Sequence, residues 1–141
     1  MSFTRVLCLS AAVLALGGAS GCGSRGLVPV EGRVTFAGQP PPAGGYVFFV
    51  PVDGGAGSEG IKPRSGTALF MQDGAFTVTT FKNGDGLRPG RYEARVECAK
   101  PRTGGASEGD GGSAVPPNFK PPEIVVPASG SGSVRVDIDV R

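Results

Sequence analysis

The chain contains no histidine and no tryptophan among its 141 residues. Without histidine it lacks the general base of Ser-His-Asp and Cys-His nucleophilic catalysis, and it also lacks the commonest metal ligand. Without tryptophan it lacks the best aromatic platform for stacking on sugars or bases. These absences argue against the common hydrolase and metalloprotein classes. We therefore predict a protein that is not an enzyme and has no cofactor or metal site.

An excess of charge of one sign is also missing. The 14 Lys and Arg residues and 12 Asp and Glu residues give a formal net charge of +2. The sequence contains no long run of like charges. Because nucleic-acid-binding proteins normally carry a basic stripe or patch, we expect no nucleic-acid partner.

Long hydrophobic runs are absent except for one short stretch at the N-terminus. Residues 6–16 read VLCLSAAVLAL, follow Arg5 and precede a group of small residues. This stretch is too short for a bilayer core, which needs about 20 residues. A basic start, a short apolar core and a small-residue end are typical of a secretory signal peptide. We predict that residues 1–21 are a signal peptide and that the protein is exported.

The end of this segment, ASGC at residues 19–22, resembles the bacterial lipobox, in which small residues precede an obligatory cysteine. The resemblance implies cleavage before Cys22, acyl chains such as palmitate on Cys22, and membrane lipid as its partner. Ala19 stands where leucine is usual, so ordinary secretion stays open as an alternative. Gly23 rather than Asp follows the cysteine, and by analogy with lipoprotein sorting this favours the outer membrane of a bacterial cell envelope. More than one acyl chain suffices to anchor a domain stably.

The three cysteines allow no intramolecular disulfide in the mature chain. Cys8 leaves with the signal peptide and Cys22 is acylated, so Cys98 has no partner. Cys98 shares the parity of the apolar positions in residues 91–98, and we expect it to be buried in the core. A reactive thiol or an intermolecular crosslink is the alternative.

Glycine and proline are abundant, with 25 and 13 residues, a proportion at which low-complexity or disordered chains are suspected. Beyond a short lipidated tether at 22–29, however, apolar and polar residues alternate, which is typical of half-buried strands. The predicted strands are 30–37, 46–50, 67–72, 75–81, 91–98, 123–126 and 133–140. We expect 46–50, a continuous apolar run, to be buried on both faces, and Gly32 to be the one glycine or proline inside a strand. About seven strands separated by turns favour a β-sandwich over residues 30–141.

Three motifs occur in an order similar to that of the carboxypeptidase regulatory-like domains. A V-x-G-x-V strand leads through a Gly/Pro turn to V-x-F-x-P, and is followed by a D-G-x-F hairpin and a P-G-x-Y segment. The matching residues are Val30, Gly32, Val34, Gly38, Pro40, Val47, Phe49, Pro51, Asp73, Gly74, Phe76, Val78, Thr80, Pro89, Gly90, Tyr92, Ala94 and Val96. The resemblance covers residues 30–140 and is closest to small bacterial lipoproteins. It implies a transthyretin-like β-sandwich with no catalytic residue, since these domains are usually accessory or structural.

The motif residues also have physical roles in a scaffold. Gly32 relieves crowding where strands pack closely. The ring of Tyr92 is expected to be buried with its hydroxyl bonded to the backbone, as in the tyrosine corner of other sandwiches. Phe36, Phe49 and Phe76 are, with Tyr92, the expected aromatic anchors of the core.

Two sets of residues with side-chain oxygen atoms could bind a metal ion or take part in catalysis. Asp73, Asn83 and Asp85 carry oxygen atoms suited to calcium, but the longer ligand pattern of an EF-hand is absent and turn formation explains them better. Asp137 and Asp139 share one face of a strand, and paired carboxylates perform glycoside hydrolysis. Because they continue a regular outward alternation, we expect a solvated strand face instead.

These observations predict a non-catalytic, lipid-anchored module of the cell envelope with a structural or protein-interaction role. The alternative is a carbohydrate-binding accessory module at the cell surface, because related sandwiches bind glycans. That function needs exposed aromatic side chains in a binding site. The candidate ligand-contact residues are Tyr46, Phe48, Phe81 and Phe119. The sequence leaves the partner open between an envelope protein and a glycan.

Overall fold

The computed structural model describes residues 26–52, 62–101, 112–128 and 132–141. Within these ranges the chain forms seven strands and no helix: β1 (Val30–Phe36), β2 (Gly45–Pro51), β3 (Gly66–Phe70), β4 (Ala75–Thr77), β5 (Gly90–Cys98), β6 (Glu123–Val126) and β7 (Val134–Val140). The prediction of an all-β domain with about seven strands is confirmed. The predicted signal peptide, Cys22 and residues 22–25 of the tether lie outside the described residues.

All seven strands join in one mixed sheet, in the order β6-β5-β2-β3-β4-β1-β7. Neighbouring strands are antiparallel except for β1 and β7, which pair in parallel over their full length. The link between β3 and β4 is narrow, since Phe70 and Phe76 are the one pair in register between the two strands. The strands form a single sheet, so the two-sheet sandwich stays a prediction.

One hydrophobic core contains residues from both ends of the sheet, from β5 and β2 as well as from β1 and β7. Phe49 on β2, Tyr92 on β5 and Val34 on β1 are fully buried in the same cluster. The rings of Phe49 and Phe76 lie 6.0 Å apart between centroids, although β3 separates their strands in the sheet. The sheet therefore folds around its core. Phe49, Phe76 and Tyr92 are core residues as predicted, whereas Phe36 is only partly buried and packs against the core.

The prediction that residues 46–50 are buried on both faces is wrong. Val47 and Phe49 are buried, but Tyr46 is 48% exposed and Phe48 and Val50 are only partly buried. The side chains of β2 alternate as in any strand, and those on the outer face are apolar. The continuous apolar run thus combines one core face with one apolar surface.

Glycines within strands are more numerous than predicted. Besides Gly32, the strands contain Gly45, Gly66, Gly90 and Pro51. A Cβ on Gly45 would lie 2.1 Å from the carbonyl oxygen of Glu97, and one on Gly66 would lie 2.5 Å from Leu87 Cδ2. Neighbouring strands and loops approach too closely for a side chain at either position. These neighbours are distant in sequence, so the alternation pattern does not reveal the need for glycine.

Two local predictions about turns and hydrogen bonds are confirmed. Gly74 has a φ of 73°, and its N–H donates to the carbonyl of Met71 at 2.9 Å, which closes the turn between β3 and β4. The Tyr92 hydroxyl donates to the carbonyl of Arg88 at 2.8 Å. Burial raises the pKa of Tyr92 to about 12, so this hydroxyl stays protonated and remains a donor throughout the physiological range.

Among the described residues, no helix has the length and apolar character needed to cross a membrane.

Candidate functional site

Large apolar side chains are exposed on the outer face of β2 and β3. Tyr46 and Phe48 project away from the core, and Tyr46 lies directly opposite Leu69 in the β2–β3 register. Met71 follows β3 at the same parity and lies beside Gly44. The exposed fractions are 48% for Tyr46, 53% for Leu69 and 64% for Met71. We call Tyr46, Phe48, Leu69 and Met71 the outer apolar face.

The two aromatic rings of this face lie next to each other. The ring centroids of Tyr46 and Phe48 are 6.1 Å apart, with an angle of 31° between the ring planes. The neighbouring strand β5 supplies charged residues beside them, with Arg95 opposite Phe48 and Glu97 opposite Tyr46. An exposed apolar patch with a polar rim is typical of a protein interaction site or a ligand-binding surface.

An open depression of about 600 Å³ lies over strands β1 and β4. Polar side chains line much of it, among them Glu31, Arg33, Asn83 and Arg135. Leu69, a member of the outer apolar face, also lines the depression, so the two surfaces are adjacent. A partner seated on the outer apolar face thus has polar groups within reach at one border.

Phe81, the third predicted contact residue, lies in a loop and not in the predicted strand 75–81. The strand β4 ends at Thr77. The Asp85 carboxylate then accepts the backbone N–H groups of Thr80 at 2.7 Å, Phe81 at 3.0 Å and Lys82 at 2.8 Å. These bonds satisfy the backbone without a neighbouring strand, which is why the chain turns here.

Two arginines flank the Phe81 ring. The guanidinium carbons of Arg64 and Arg88 each lie 5.5 Å from the ring centroid, a distance at which cation–π attraction operates. Phe81 is 50% exposed. Arg88 Nη1 donates to the carbonyl of Lys62 at 3.0 Å, while its Nε is buried with no hydrogen-bond partner in the described part of the chain. We call Arg64, Phe81 and Arg88 the Phe81 cluster.

The four predicted contact aromatics therefore do not form one site. The structure brings Tyr46 and Phe48 together and places Phe81 with the two arginines. Phe119 is partly buried and packs against the core. A substitution at Phe119 would thus change packing as well as any surface property.

Sequence reasoning missed the other members of both surfaces. Leu69 and Met71 point outward from a segment whose inward residues are Ala68 and Phe70. Apolar residues at both the inward and the outward positions of a predicted strand could therefore have indicated an exposed apolar face. Arg64 carries no such signal, because loop geometry that is not encoded locally brings it to Phe81.

The acidic residues considered for catalysis or metal binding have structural partners. Asp139 accepts hydrogen bonds from Gly38 N at 2.9 Å and from Thr35 Oγ1 at 2.8 Å. These bonds, with that from Arg141, hold the pKa of Asp139 below its usual value. Asp139 therefore joins β7 to the end of β1, which corrects the expectation of a fully solvated carboxylate. Asp137 is exposed and lies 3.2 Å from Arg135 Nε.

No group of three His, Cys, Asp or Glu side chains able to hold a metal ion occurs in the described ranges. Asp73 accepts the N–H of Ala75 at 3.2 Å, and Asp85 closes its own loop, in agreement with the turn interpretation.

Cys98 is buried, as predicted from its parity. Its side chain is 4% exposed, and Sγ lies 3.4 Å from the carbonyl oxygen of Ala43. Burial raises the pKa of the Cys98 thiol, which keeps it protonated and weakly nucleophilic. Its position favours packing over reactivity.

Replacing Asp85 by asparagine is expected to lower the free energy of unfolding at neutral pH by about 1 kcal/mol, because charge-assisted bonds become neutral ones. Burial alone would raise the pKa of Asp85, but the N–H bonds from Thr80, Lys82 and Phe81 outweigh it and lower the pKa. A lowered folded-state pKa stabilises the fold above the unfolded-state pKa. That contribution is lost as the pH falls through the folded-state value, which lies below 3.8.

Urea unfolding between neutral pH and pH of about 3 measures this effect, with Asp137→Asn as the exposed control. The difference in the free energy of unfolding between wild type and Asp85→Asn should narrow as the pH falls, while that of Asp137→Asn should stay close to wild type throughout. A gap for Asp85→Asn that is constant with pH would contradict the role given to the ionised carboxylate.

Comparison with protein-family models, curated proteins and solved structures finds no match to this chain. The likeness to carboxypeptidase regulatory-like domains therefore remains a resemblance in three sequence motifs. Two surfaces of the described residues are candidate binding sites, the outer apolar face and the Phe81 cluster.

Proposed function

We propose that this protein is an exported, lipid-anchored module of the bacterial cell envelope that binds another envelope protein and performs no catalysis. In this proposal residues 1–21 are a signal peptide, acylated Cys22 anchors the chain in the outer membrane, and residues 22–29 form the tether. The domain of residues 30–141 adopts a transthyretin-like β-sandwich related to the carboxypeptidase regulatory-like domains. The lipobox-like end of the apolar N-terminal segment and the order of the three motifs support these points.

The observation that carries the binding function is the outer apolar face. The domain has a core of its own that buries Phe49, Phe70 and Tyr92 completely, so the exposed side chains of Tyr46 and Leu69 are not needed for it. Removing apolar surface from water contributes about 25 cal/mol per Å². Tyrosine, phenylalanine and methionine are enriched at protein interfaces. A partner protein that covers this face would gain that free energy.

The second candidate function is carbohydrate binding, and the adjacent rings of Tyr46 and Phe48 favour it. Two aromatic side chains on one face offer a platform for a sugar ring, with Arg95 and Glu97 beside them as hydrogen-bonding groups. The two functions respond differently to Tyr46→Leu. This change keeps apolar area for a protein partner but removes the ring that a glycan requires.

Tyr46→Glu is expected to weaken partner binding about tenfold or more, because a charge would be buried at the centre of the contact. The partner is first captured with a photo-crosslinking residue at Leu69, with Val125 as the matched control. Val125 is exposed to the same degree as Met71 but lies on β6, away from the outer apolar face. Affinities for the captured protein are then measured for wild type, Tyr46→Glu, Tyr46→Leu and Val125→Glu.

We expect a discrete crosslinked protein from position 69 and none from position 125, with Tyr46→Leu and Val125→Glu binding close to wild type. Equal crosslinking from both positions, or none from position 69, would refute the interface. Glycan binding by wild type that both Tyr46→Leu and Tyr46→Glu abolish would instead establish the carbohydrate-binding function.

A further inference from the structure

The Phe81 cluster lies beside the point where the chain enters the domain. Val28 donates its N–H to the carbonyl of Leu87 at 2.7 Å, and Leu87 donates back to Val28 at 2.9 Å. Arg88, whose guanidinium flanks Phe81, is the next residue in sequence. Gly86 also touches this entry point, since a Cβ there would lie 1.9 Å from the carbonyl oxygen of Val28. The N-terminal tether and the Phe81 loop therefore share one end of the domain.

This end carries positive charge around an exposed aromatic ring. Arg64 and Arg88 flank Phe81, and Lys82 is exposed directly after it. The acidic side chain in the loop, Asp85, turns its carboxylate to three backbone N–H groups. The basic side chains therefore present a net positive surface to solvent.

We propose that the Phe81 cluster, together with Lys62 and Lys82, is a membrane-contact surface that binds anionic phospholipid headgroups and places the Phe81 ring at the bilayer interface. The proposal rests on the proposed lipid anchor at Cys22. Five residues lie between Cys22 and Val28, so the six steps from one to the other span at most about 20 Å when fully extended. The tether thus keeps this end of the domain close to the membrane.

The chemistry of the surface fits that position. Lysine and arginine near an anionic leaflet are attracted to its phosphates, and this attraction is screened by salt. Phenylalanine, like tryptophan and leucine, is typical of the apolar side of segments that lie at the boundary between headgroups and acyl chains. A basic patch beside a lipid anchor adds a second membrane contact and fixes the orientation of the domain. The short tether favours the bilayer over a soluble anionic glycan or an acidic protein as the occupant.

The absence of tryptophan makes a direct test possible, because Phe81→Trp introduces the sole indole of the chain. The full acylated protein is reconstituted into phosphatidylcholine vesicles with and without phosphatidylglycerol, using lipids brominated on the acyl chains. We expect the indole of Phe81→Trp to be quenched in phosphatidylglycerol vesicles and to lose most of this quenching in about 0.5 M salt. The matched control Tyr46→Trp should stay unquenched, and adding Arg64→Gln and Lys82→Gln to Phe81→Trp should abolish the quenching.

A second measurement uses the wild-type chain and does not depend on a new side chain. Tryptic cleavage after Arg64 and Lys82 should slow several-fold in phosphatidylglycerol vesicles relative to phosphatidylcholine vesicles, and this protection should disappear in about 0.5 M salt. Acylated protein with no quenching of Phe81→Trp, or with equal rates of cleavage after Arg64 and Lys82 in the two kinds of vesicle, would overturn the membrane contact and leave the anchor intact. A Cys22 that carries no lipid would overturn the anchor itself and, with it, the membrane contact.

Discussion

Replacing Gly32 by alanine is expected to unfold the domain, with a loss of about 4 kcal/mol or more in the free energy of unfolding. A Cβ at this position would lie 1.7 Å from the carbonyl oxygen of Val136 and 2.8 Å from the ring of Phe76. The first of these atoms belongs to the backbone of β7, which pairs with β1 along its full length. To admit one methyl group, β7 would have to separate from β1, which would break their hydrogen bonds and open the core.

Gly132→Ala is the matched control, because no atom of the described residues lies within 4 Å of the added Cβ and no positive φ is found at this residue. It should change stability by no more than about 0.5 kcal/mol. Far-UV circular dichroism during thermal unfolding measures both variants. We expect the Tm of Gly32→Ala to fall by about 10 °C or more, or the variant to be unfolded at room temperature. A Tm near that of wild type would show that β1 and β7 are not packed as described.

Replacing Cys22 by serine is expected to abolish acylation and release the protein from the outer-membrane fraction. Serine lacks the sulfur atom that forms the thioether to lipid, so this substitution removes the attachment point of the proposed anchor. The Phe81 cluster alone should not retain the protein at physiological salt, since screening weakens its attraction to phosphate. Incorporation of labelled palmitate and membrane fractionation measure the two effects independently.

Cys98→Ser is the matched control for this change. The thiol of Cys98 is buried beside Ala43 and is not accessible for acylation, so this variant should keep both its palmitate label and its membrane association. A Cys22→Ser protein that still incorporates palmitate and stays in the outer membrane would refute the anchor.

Local sequence pattern predicts most of this fold because a strand has a period of two. In β5 the alternation places Tyr92 and Cys98 in the core, as predicted, and the Pro89-Gly90 pair marks the start of the strand, which begins at Gly90. The Asp73-Gly74 pair predicts its turn because only a residue that tolerates positive φ fits there. These features depend on a few consecutive residues and their own backbone geometry.

The errors arise where distant residues decide the structure. The predicted strand 75–81 ends early because the Asp85 carboxylate captures the N–H groups that a longer strand would have paired. Gly45 is required by the carbonyl of Glu97 on another strand. The apolar run in β2 predicts burial on both faces, but no described element covers the side of Tyr46.

Part of the candidate site was predictable from the alternation of side chains along a strand. Tyr46 and Phe48 were identifiable as candidate contact residues, because aromatic residues of one parity share one face of a strand. Leu69 joins them through the β2–β3 register, which the sequence does not specify. Arg64 lies well before Phe81 in the chain and Arg88 lies beyond the next turn, so the cluster forms only when these loops fold against each other.

The proposed lipid anchor underlies both the proposed function and the proposed membrane contact, and intact-mass spectrometry of the protein purified from membranes tests this anchor most directly. The account predicts a mature chain that begins at Cys22 and exceeds the mass of residues 22–141 by the mass of its acyl groups, with fragmentation placing them on Cys22. A chain with an unmodified Cys22, or one that begins at another residue and carries no lipid, would contradict it.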